Sequence, residues 1–323
     1  MEETGLVAAF QLDGRGGGRR LDWAAVDGWQ PDDGVLWIHL HRDSAATQQW
    51  LHERSGLDPL VVEALLAENT RPRCAPMDNG VMLFLRGVNL NPGSLPDDMV
   101  SIRLWVEATR IISVRLRRLL SVDDLQQALD NGRGPADAGE FVVQLGERLV
   151  SRMAGVIADA DDEVDSLQEQ SLSAHSSALR SELIRLRGEI ISLRRYLAPQ
   201  RDALARMAQL KLPWLGETQT LHLREEADRV TRYVEDLDAA RDRAALTQEE
   251  LNNRLSEQMN GRMYVLSVVA ALFLPLGFLT GLLGINVGGI PLSDDPRGFF
   301  DVVLVLLLIT GALVWLFRRK RWL

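Results

Sequence analysis

Two long apolar segments near the C-terminus constrain the fold of this chain more than any other feature. Residues 263–283 carry no charge, and residues 299–317 carry only Asp301, close to their beginning. As helices rising about 1.5 Å per residue, both segments are long enough to cross a hydrocarbon core of about 30 Å. Buried core helices are rarely apolar over such lengths. We therefore predict a membrane protein with two transmembrane helices.

The charges around these segments predict their orientation. The basic cluster Arg318–Arg321 directly follows the second segment, and such clusters stay on the cytoplasmic side. Two spans return the chain to the side on which it started, so both termini are expected in the cytoplasm and only residues 284–298 outside. No leader-like stretch opens the sequence. The net charge of −9 argues against a nucleic-acid surface, and the single cysteine, Cys74, excludes a disulfide within the chain.

The remaining sequence predicts an α+β membrane protein. Residues 1–137 are expected to form a cytoplasmic α/β domain, and residues 138–217 a helical hairpin. Residues 218–262 contain a single glycine, Gly261, and no proline, so they predict a stalk helix that continues into the first span at 263–283. An outer loop at 284–298, the second span at 299–317 and a cytoplasmic tail at 318–323 complete the domain prediction. The predicted strands are 5–12, 35–40, 81–90, 100–107 and 111–116, and the predicted short helices are 58–66 and 122–129.

The hairpin prediction depends on a heptad pattern. Leucine and isoleucine recur at alternating spacings of three and four from Leu179 to Leu197, which is typical of a helix–helix seam. The preceding segment, 141–172, is its expected antiparallel partner, and Pro213 is expected to end the hairpin.

A stripe of small and polar residues follows one face of the helix that enters the membrane. Close packing against another helix favours such residues, and so does the lining of a pore. From the residues alone both interpretations stay open. A pore would need several copies, because two spans cannot enclose a channel. The stripe comprises Asn253, Ser256, Asn260, Met263, Ser267, Ala270, Leu274, Gly277 and Gly281.

Acidic residues suggest two further cation-binding regions. Asp159, Asp162 and Glu163 lie three and four residues apart on a predicted helix and could hold a hard cation in a regulatory site. A charged, solvated helix face is the simpler interpretation. Asp294 and Asp295 are the acids of the outer loop and could concentrate cations there, or they simply keep the loop solvated.

His39 and His41 alternate on a predicted strand and so point the same way. They could be half of a zinc site, but no further ligand can be named, and a structural role is the simpler interpretation. No nucleophile–base pairing or metal-hydrolase motif occurs, so we predict no enzyme activity and no bound cofactor.

A short motif after the first span carries a family resemblance. Gly284-Ile285-Asn286 is followed by Val287-Gly288-Gly289-Ile290-Pro291. Here the chain resembles the CorA family of two-span divalent cation transporters, whose mark is Gly-Met-Asn at this position. The isoleucine form resembles the zinc-transporting, ZntB-type branch. Segments that agree with this branch are 70–73, 85–93, 98–101, 273–275 and 321–323.

The resemblance implies a homopentamer in the bacterial inner membrane, with first-span helices around the pore and the cytoplasmic parts forming a funnel. It implies transport of zinc, and for this branch proton-coupled uptake. Five copies of Asn286 would form a ring of amide oxygens that accept hydrogen bonds from the water shell of a cation. Gly284 is expected to let the backbone turn there. The stripe contains no cysteine or histidine, so the zinc assignment depends on the resemblance alone.

Two alternatives remain from the sequence. One is a magnesium or cobalt channel of the same family. The other is a coiled-coil membrane anchor or sensor that transports nothing, which would need neither a polar stripe nor Asn286.

Overall fold

A computed structural model of the chain describes residues 5–173, 177–285 and 296–320. Its contacts divide the chain into two compact units, an N-terminal unit that ends at Gln248 and a C-terminal unit that begins at Glu249. This division falls inside the predicted stalk helix rather than at either of its ends.

Within the described residues, the N-terminal unit contains one mixed sheet of seven strands in the order β2-β1-β3-β7-β6-β5-β4. β3 and β7 run parallel, whereas the other neighbouring strands pair antiparallel. The strands are β1 (Leu6–Leu12), β2 (Gly18–Arg20), β3 (Leu36–His41), β4 (Arg73–Met77), β5 (Gly80–Gly87), β6 (Val100–Val106) and β7 (Arg110–Arg115).

Three short helices cover one face of this sheet: α1 (Trp23–Gly28), α2 (Ala45–Glu53) and α3 (Pro59–Leu66). Leu36, Ile38 and Leu40 of β3 point into the core beneath them, because alternate residues of a strand face the same side. α3 starts where it does because Asp58 accepts a hydrogen bond from the backbone of Leu60 and a proline occupies its first turn.

The opposite face of the sheet packs against α4 (Leu120–Asp130) and the start of α5 (Ala138–Ser173). Trp37 of β3 meets Phe141 of α5 edge to face, with ring centroids 4.9 Å apart. α5 begins at a capped end, since the Asp137 carboxylate accepts from the backbone of Glu140 at 2.8 Å. The sheet is therefore covered on both faces.

α5, α6 (Ser177–Met207) and the first part of α7 (Glu217–Leu283) pack as helices with apolar seams. The predicted seam of α6 is confirmed, because Leu183, Leu186 and Ile190 are fully buried. Val230, Val234 and Leu237 contribute the buried side of α7. Arg243 of α7 reaches Asp165 of α5 at 3.5 Å and also pairs with Asp161.

Five predicted strands and two predicted short helices are present with shifts of a few residues, but β2, β4, α1 and α2 were missed. β2 has only three residues. β4 contains Pro76, which argues against a strand in the sequence, yet β4 is the last strand at one edge of the sheet, where a missing N–H is tolerated. α6 ends at Met207, before Pro213, and it accommodates Pro199 in its interior.

The C-terminal unit contains the end of α7 and a further helix, α8 (Gly298–Arg319). Both helices are long and apolar enough to cross a membrane. None of their most apolar stretches is buried within a single chain. The two predicted membrane spans are therefore present as helices.

Candidate ion pathway

The predicted pathway lies on α7, whose continuity follows from its sequence. Its first turn is closed by Gln219, whose side-chain oxygen accepts from the backbone N–H of Gly216 at 2.8 Å. The helix ends where the N–H of Gly284 bonds back to the carbonyls of Thr280, at 3.0 Å, and Gly281, at 3.2 Å. Gly284 does not adopt a left-handed backbone conformation. The backbone does turn at Gly284, as expected, without needing that conformation.

All nine residues of the predicted pore-lining stripe are exposed in the single chain. Within the span 263–283, the less exposed positions are Val268, Leu272, Pro275, Leu276 and Leu279. With about 100° per residue, these positions form a second face roughly opposite the stripe. The stripe is therefore a separate surface and not the shielded side of the helix.

α8 covers the shielded face. Leu279 and Leu283 of α7 share a cleft of about 180 Å³ with Asp301, Val302 and Leu306 of α8. Val302 and Leu306 begin a less exposed face of α8 that ends at buried Phe317. The small residues of the stripe thus do not serve to pack α7 against α8. Helix packing, one of the two interpretations of the stripe that the sequence left open, is therefore excluded for helices of the same chain.

The stripe offers uncharged polar groups. The side chains of Asn253 and Asn260 have no hydrogen-bond partner among the described residues, so their amides can bind water or a hydrated ion. The hydroxyl of Ser256 donates to Asn252 O at 2.9 Å, and that of Ser267 to Met263 O at 2.8 Å. Each hydroxyl oxygen still has lone pairs that can accept a hydrogen bond from an ion's water shell.

The predicted selectivity motif is described only in part. Gly284 lies at the end of α7, and Ile285 follows it with 48% of its side chain exposed. Asn286, Asp294 and Asp295 lie outside the described residues. The amide ring and the cation-attracting loop therefore stay predictions.

The acidic residues predicted as a regulatory metal site do not converge on one point. Asp159 and Glu163 line a cleft of about 150 Å³ that also involves Asp97 and Glu189. Asp162 does not line this cleft, and Glu163 pairs with Arg185. Within the described ranges, no group of three or more His, Cys, Asp or Glu side chains is arranged to hold a metal ion. A metal site made by one chain has no geometric support there.

Asp97 and Glu189 were missed as partners of this cleft. Glu189 belongs to α6 and follows from the antiparallel pairing of the hairpin, which places it level with Glu163. Asp97 comes from the connection between β5 and β6, and no local sequence pattern indicates that this connection reaches the hairpin.

The surroundings of His39 distinguish between a structural role and half of a zinc site. His39 is fully buried, with its Nδ1 2.8 Å from the Ser113 hydroxyl, which also accepts from the Trp37 indole. Burial, together with the positive charges of Arg115 and His41, lowers the pKa of His39 well below its ordinary value. A neutral, enclosed imidazole in a sheet core has a structural role, as the simpler interpretation of the sequence held.

Comparison with known proteins decides the family. The chain matches the family model described as CorA-like Mg2+ transporter protein over residues 32–319. It belongs to this family. Members of the CorA-like family are ion transporters, so the chain is a divalent cation transporter and not an enzyme.

Individual relatives agree with this CorA-like assignment over full length. The chain is 42% identical to the divalent cation transporter CmaX of Pseudomonas aeruginosa, covering 100% of this chain and 98% of the relative. It is 36% identical to the zinc transport protein ZntB of Pectobacterium carotovorum, with the same coverage. The solved structure of full-length CmaX superposes with a TM-score of 0.87 at 40% identity, covering 100% of this chain and 99% of that one. The predicted family and the predicted fold are both confirmed.

Proposed function

We propose that this chain is one subunit of a homopentamer that takes up divalent cations, zinc in particular, across the bacterial inner membrane. In this proposal the stripe on α7 lines a central pore, and five copies of Asn286 surround its outer mouth. The observation that carries the proposal is the position of the stripe on the face of α7 that α8 leaves open.

An uncovered polar face inside a bilayer needs a polar neighbour. Within the span 263–283, the Ser267 hydroxyl oxygen keeps lone pairs that lipid cannot satisfy, whereas water around a shared axis can. Asn253 and Asn260 precede the span, and their amides would line the same axis in the stalk. Gly277 and Gly281 leave open space around their backbones in the single chain. Small side chains at these positions let several copies of α7 approach one axis and still leave room for an ion.

The outward surface of α8 suits lipid. Leu304, Leu307 and Leu308 are more than half exposed in the single chain and carry no polar group. The helix ends with Arg318 and Arg319, and the cation of Arg319 lies over the ring of Trp315, 5.3 Å from its centroid. Aromatic and basic residues are typical of a cytoplasmic membrane boundary, which supports both termini on that side.

The choice of zinc over magnesium follows the relatives. The ZntB relative is named for zinc transport and is similar over the full length of the chain, whereas the family description names magnesium. The chain also has isoleucine at position 285, as the zinc-branch resemblance expects. Proton coupling is proposed from that resemblance alone. A magnesium channel is the second candidate, since a ring of amide oxygens suits any hydrated divalent cation.

Transport by purified protein in lipid vesicles tests the proposal directly. Labelled zinc and labelled magnesium are offered separately, each with and without a pH gradient that is acidic outside. We expect faster zinc uptake with the gradient than without it. Magnesium uptake that exceeds zinc uptake and ignores the gradient would assign the chain to the second candidate.

Asn286→Ala tests the amide ring in the same vesicles. We expect uptake to fall at least about tenfold, because five acceptors for the water shell are lost, while particle size stays that of the wild type. Asn286→Asp should bring a new pH dependence, since adjacent carboxylates raise one another's pKa. Wild-type uptake by both variants would contradict the proposed mouth.

A matched pair of variants tests the stripe. Ala270→Leu adds bulk on the stripe, and Val269→Leu adds a methylene on an exposed side of the same helix outside both the stripe and the shielded face. We expect Ala270→Leu to slow uptake and Val269→Leu to leave it unchanged. Equal effects of the two substitutions would remove the pore assignment of this face.

A further inference from the structure

The outer face of α6 is an apolar strip without a partner in the single chain. Ile184 and Ile191 are 52% and 50% exposed, and they lie one heptad apart on the side opposite the buried seam. Gly188 lies between them, and a Cβ added there would meet nothing within 4 Å. Two isoleucines with a glycine between them form a groove that a second helix can approach closely.

The outer face of α5 has a complementary shape and charge. Its part far from the hairpin apex is small, with Ser151, Gly155 and Ala158 on the exposed side. Its part near the apex is acidic, with Asp162 and Glu169 on the same side. A bulky strip and a small strip on neighbouring helices of one hairpin thus face outward in different directions.

The charges of the two helices are opposite. Residues 158–172 contain six acidic residues and no basic residue, whereas residues 177–195 contain five arginines and two glutamates. Some of these charges are paired within the chain, as Glu163 is with Arg185. Asp162 and Glu169 on α5, and Arg180 and Arg195 on α6, form no ion pair within the described residues. They are available to a partner of opposite charge.

We propose that the outer face of α6, centred on Ile184, Gly188 and Ile191, packs in each subunit against the outer face of α5 of the neighbouring subunit. This inference rests on the proposed homo-oligomer. Two different faces per subunit make a heterologous contact, which gives a ring in the proposed pentamer and not a two-fold dimer. A contact between two α6 helices would instead bring arginine-rich surfaces together.

The register of this contact follows from the hairpin. Within one chain α5 and α6 run antiparallel, and Glu163 lies level with Arg185 and Glu189. If the symmetry axis of the ring runs parallel to these helices, neighbouring subunits are related by rotation alone. Equivalent residues of all subunits then lie at the same height along the axis. Ile191 then faces Ala158 of the next subunit, Gly188 faces Asp162, and Arg180 faces Glu169. At these heights a bulky side chain meets a small one, the glycine leaves room for Asp162, and Arg180 meets an acidic side chain.

Cysteine cross-linking in the full-length protein tests this contact. The chain has one native cysteine, Cys74, which is only 8% exposed, so background reaction is low. The variant Ala158→Cys/Ile191→Cys is oxidised mildly in membranes and run on a denaturing gel without reductant. We expect most of the chain to move from monomer into a ladder of dimer up to pentamer that reductant collapses.

The controls separate this inference from the proposed function. Each single-cysteine variant, and the pair Gln168→Cys/Ile191→Cys, should stay monomeric on the gel, because Gln168 is ten residues, or about 15 Å, further along α5. Dimers from a single cysteine would show an isologous contact and overturn the inference. No ladder from particles that light scattering shows to be pentameric would overturn the inference alone. Monomeric particles would overturn the proposed pentamer as well.

Discussion

The two units of this chain use the same apolar residue types in opposite ways. In the N-terminal unit Leu186, Leu65 and Phe84 are buried to 1% exposure or less. In the C-terminal unit Leu266, Phe273 and Leu274 are 68% to 72% exposed in the single chain. The N-terminal unit excludes water from its own core, whereas the C-terminal unit presents its apolar surface to lipid and, as proposed, to other copies.

This difference shows what burial within one chain measures. The helices of the C-terminal unit satisfy their backbone hydrogen bonds locally, so they need no core of their own in a bilayer. An exposed leucine there is no defect, and an exposed polar side chain such as that of Ser267 is the unusual one. In the N-terminal unit the opposite holds, and the exposed Ile184 and Ile191 are the residues that need an explanation.

The largest expected effect comes from placing a charge in the buried seam of the N-terminal unit. Leu186→Asp should lower the unfolding free energy of fragment 1–248 by at least about 3 kcal/mol, because a carboxylate without a partner loses its hydration there. Urea unfolding followed by tryptophan fluorescence measures this. Ile184→Asp, on the exposed side of the same helix, is the control and should change stability by less than about 1 kcal/mol. Equal stability of the two variants would show that the two sides of α6 do not differ in burial.

A pair of glycine substitutions compares the two units directly. A Cβ at Gly80 would lie 2.7 Å from both the Trp105 ring and the Val106 carbonyl, so Gly80→Ala should cost about 1–3 kcal/mol of fragment stability. A Cβ at Gly277 meets nothing within 4 Å in the single chain. Gly277→Ala should therefore leave thermal unfolding unchanged and slow zinc uptake in vesicles. Normal uptake by Gly277→Ala would indicate that this glycine faces lipid.

The smallest expected effect is a pH dependence that belongs to the N-terminal unit alone. Because the pKa of folded His39 lies well below 6.5, the unfolded chain takes up a proton first as the pH falls. Stability is fully present above about pH 6.5 and decreases below it, by up to about 1.4 kcal/mol per pH unit. Unfolding of fragment 1–248 between pH 7 and pH 5 measures the slope. His39→Asn should flatten it, and an unchanged slope would mean that other groups produce it.

Local patterns predicted the parts of the fold that depend on neighbours in sequence. The spacing of leucine and isoleucine predicted the seam from Leu179 to Leu197, and the length of the apolar segments predicted both membrane spans. β4 was missed because its proline is acceptable only at a sheet edge, and being at an edge is a property of the whole sheet. The selectivity motif was found from a family resemblance, and the stripe from its helical spacing.

The order of residues is enough to show which surfaces are apolar, which are polar and how long each helix can be, because those properties repeat along the chain with the period of the backbone. Which surface covers which depends on the folded chain. Folding brings β3 beside β7, His39 against Ser113 and Asp97 to the acidic cleft. It also sets α8 on the side of α7 opposite the stripe. Such contacts depend on residues far apart in sequence, and periodicity states that a face must be covered without stating what covers it.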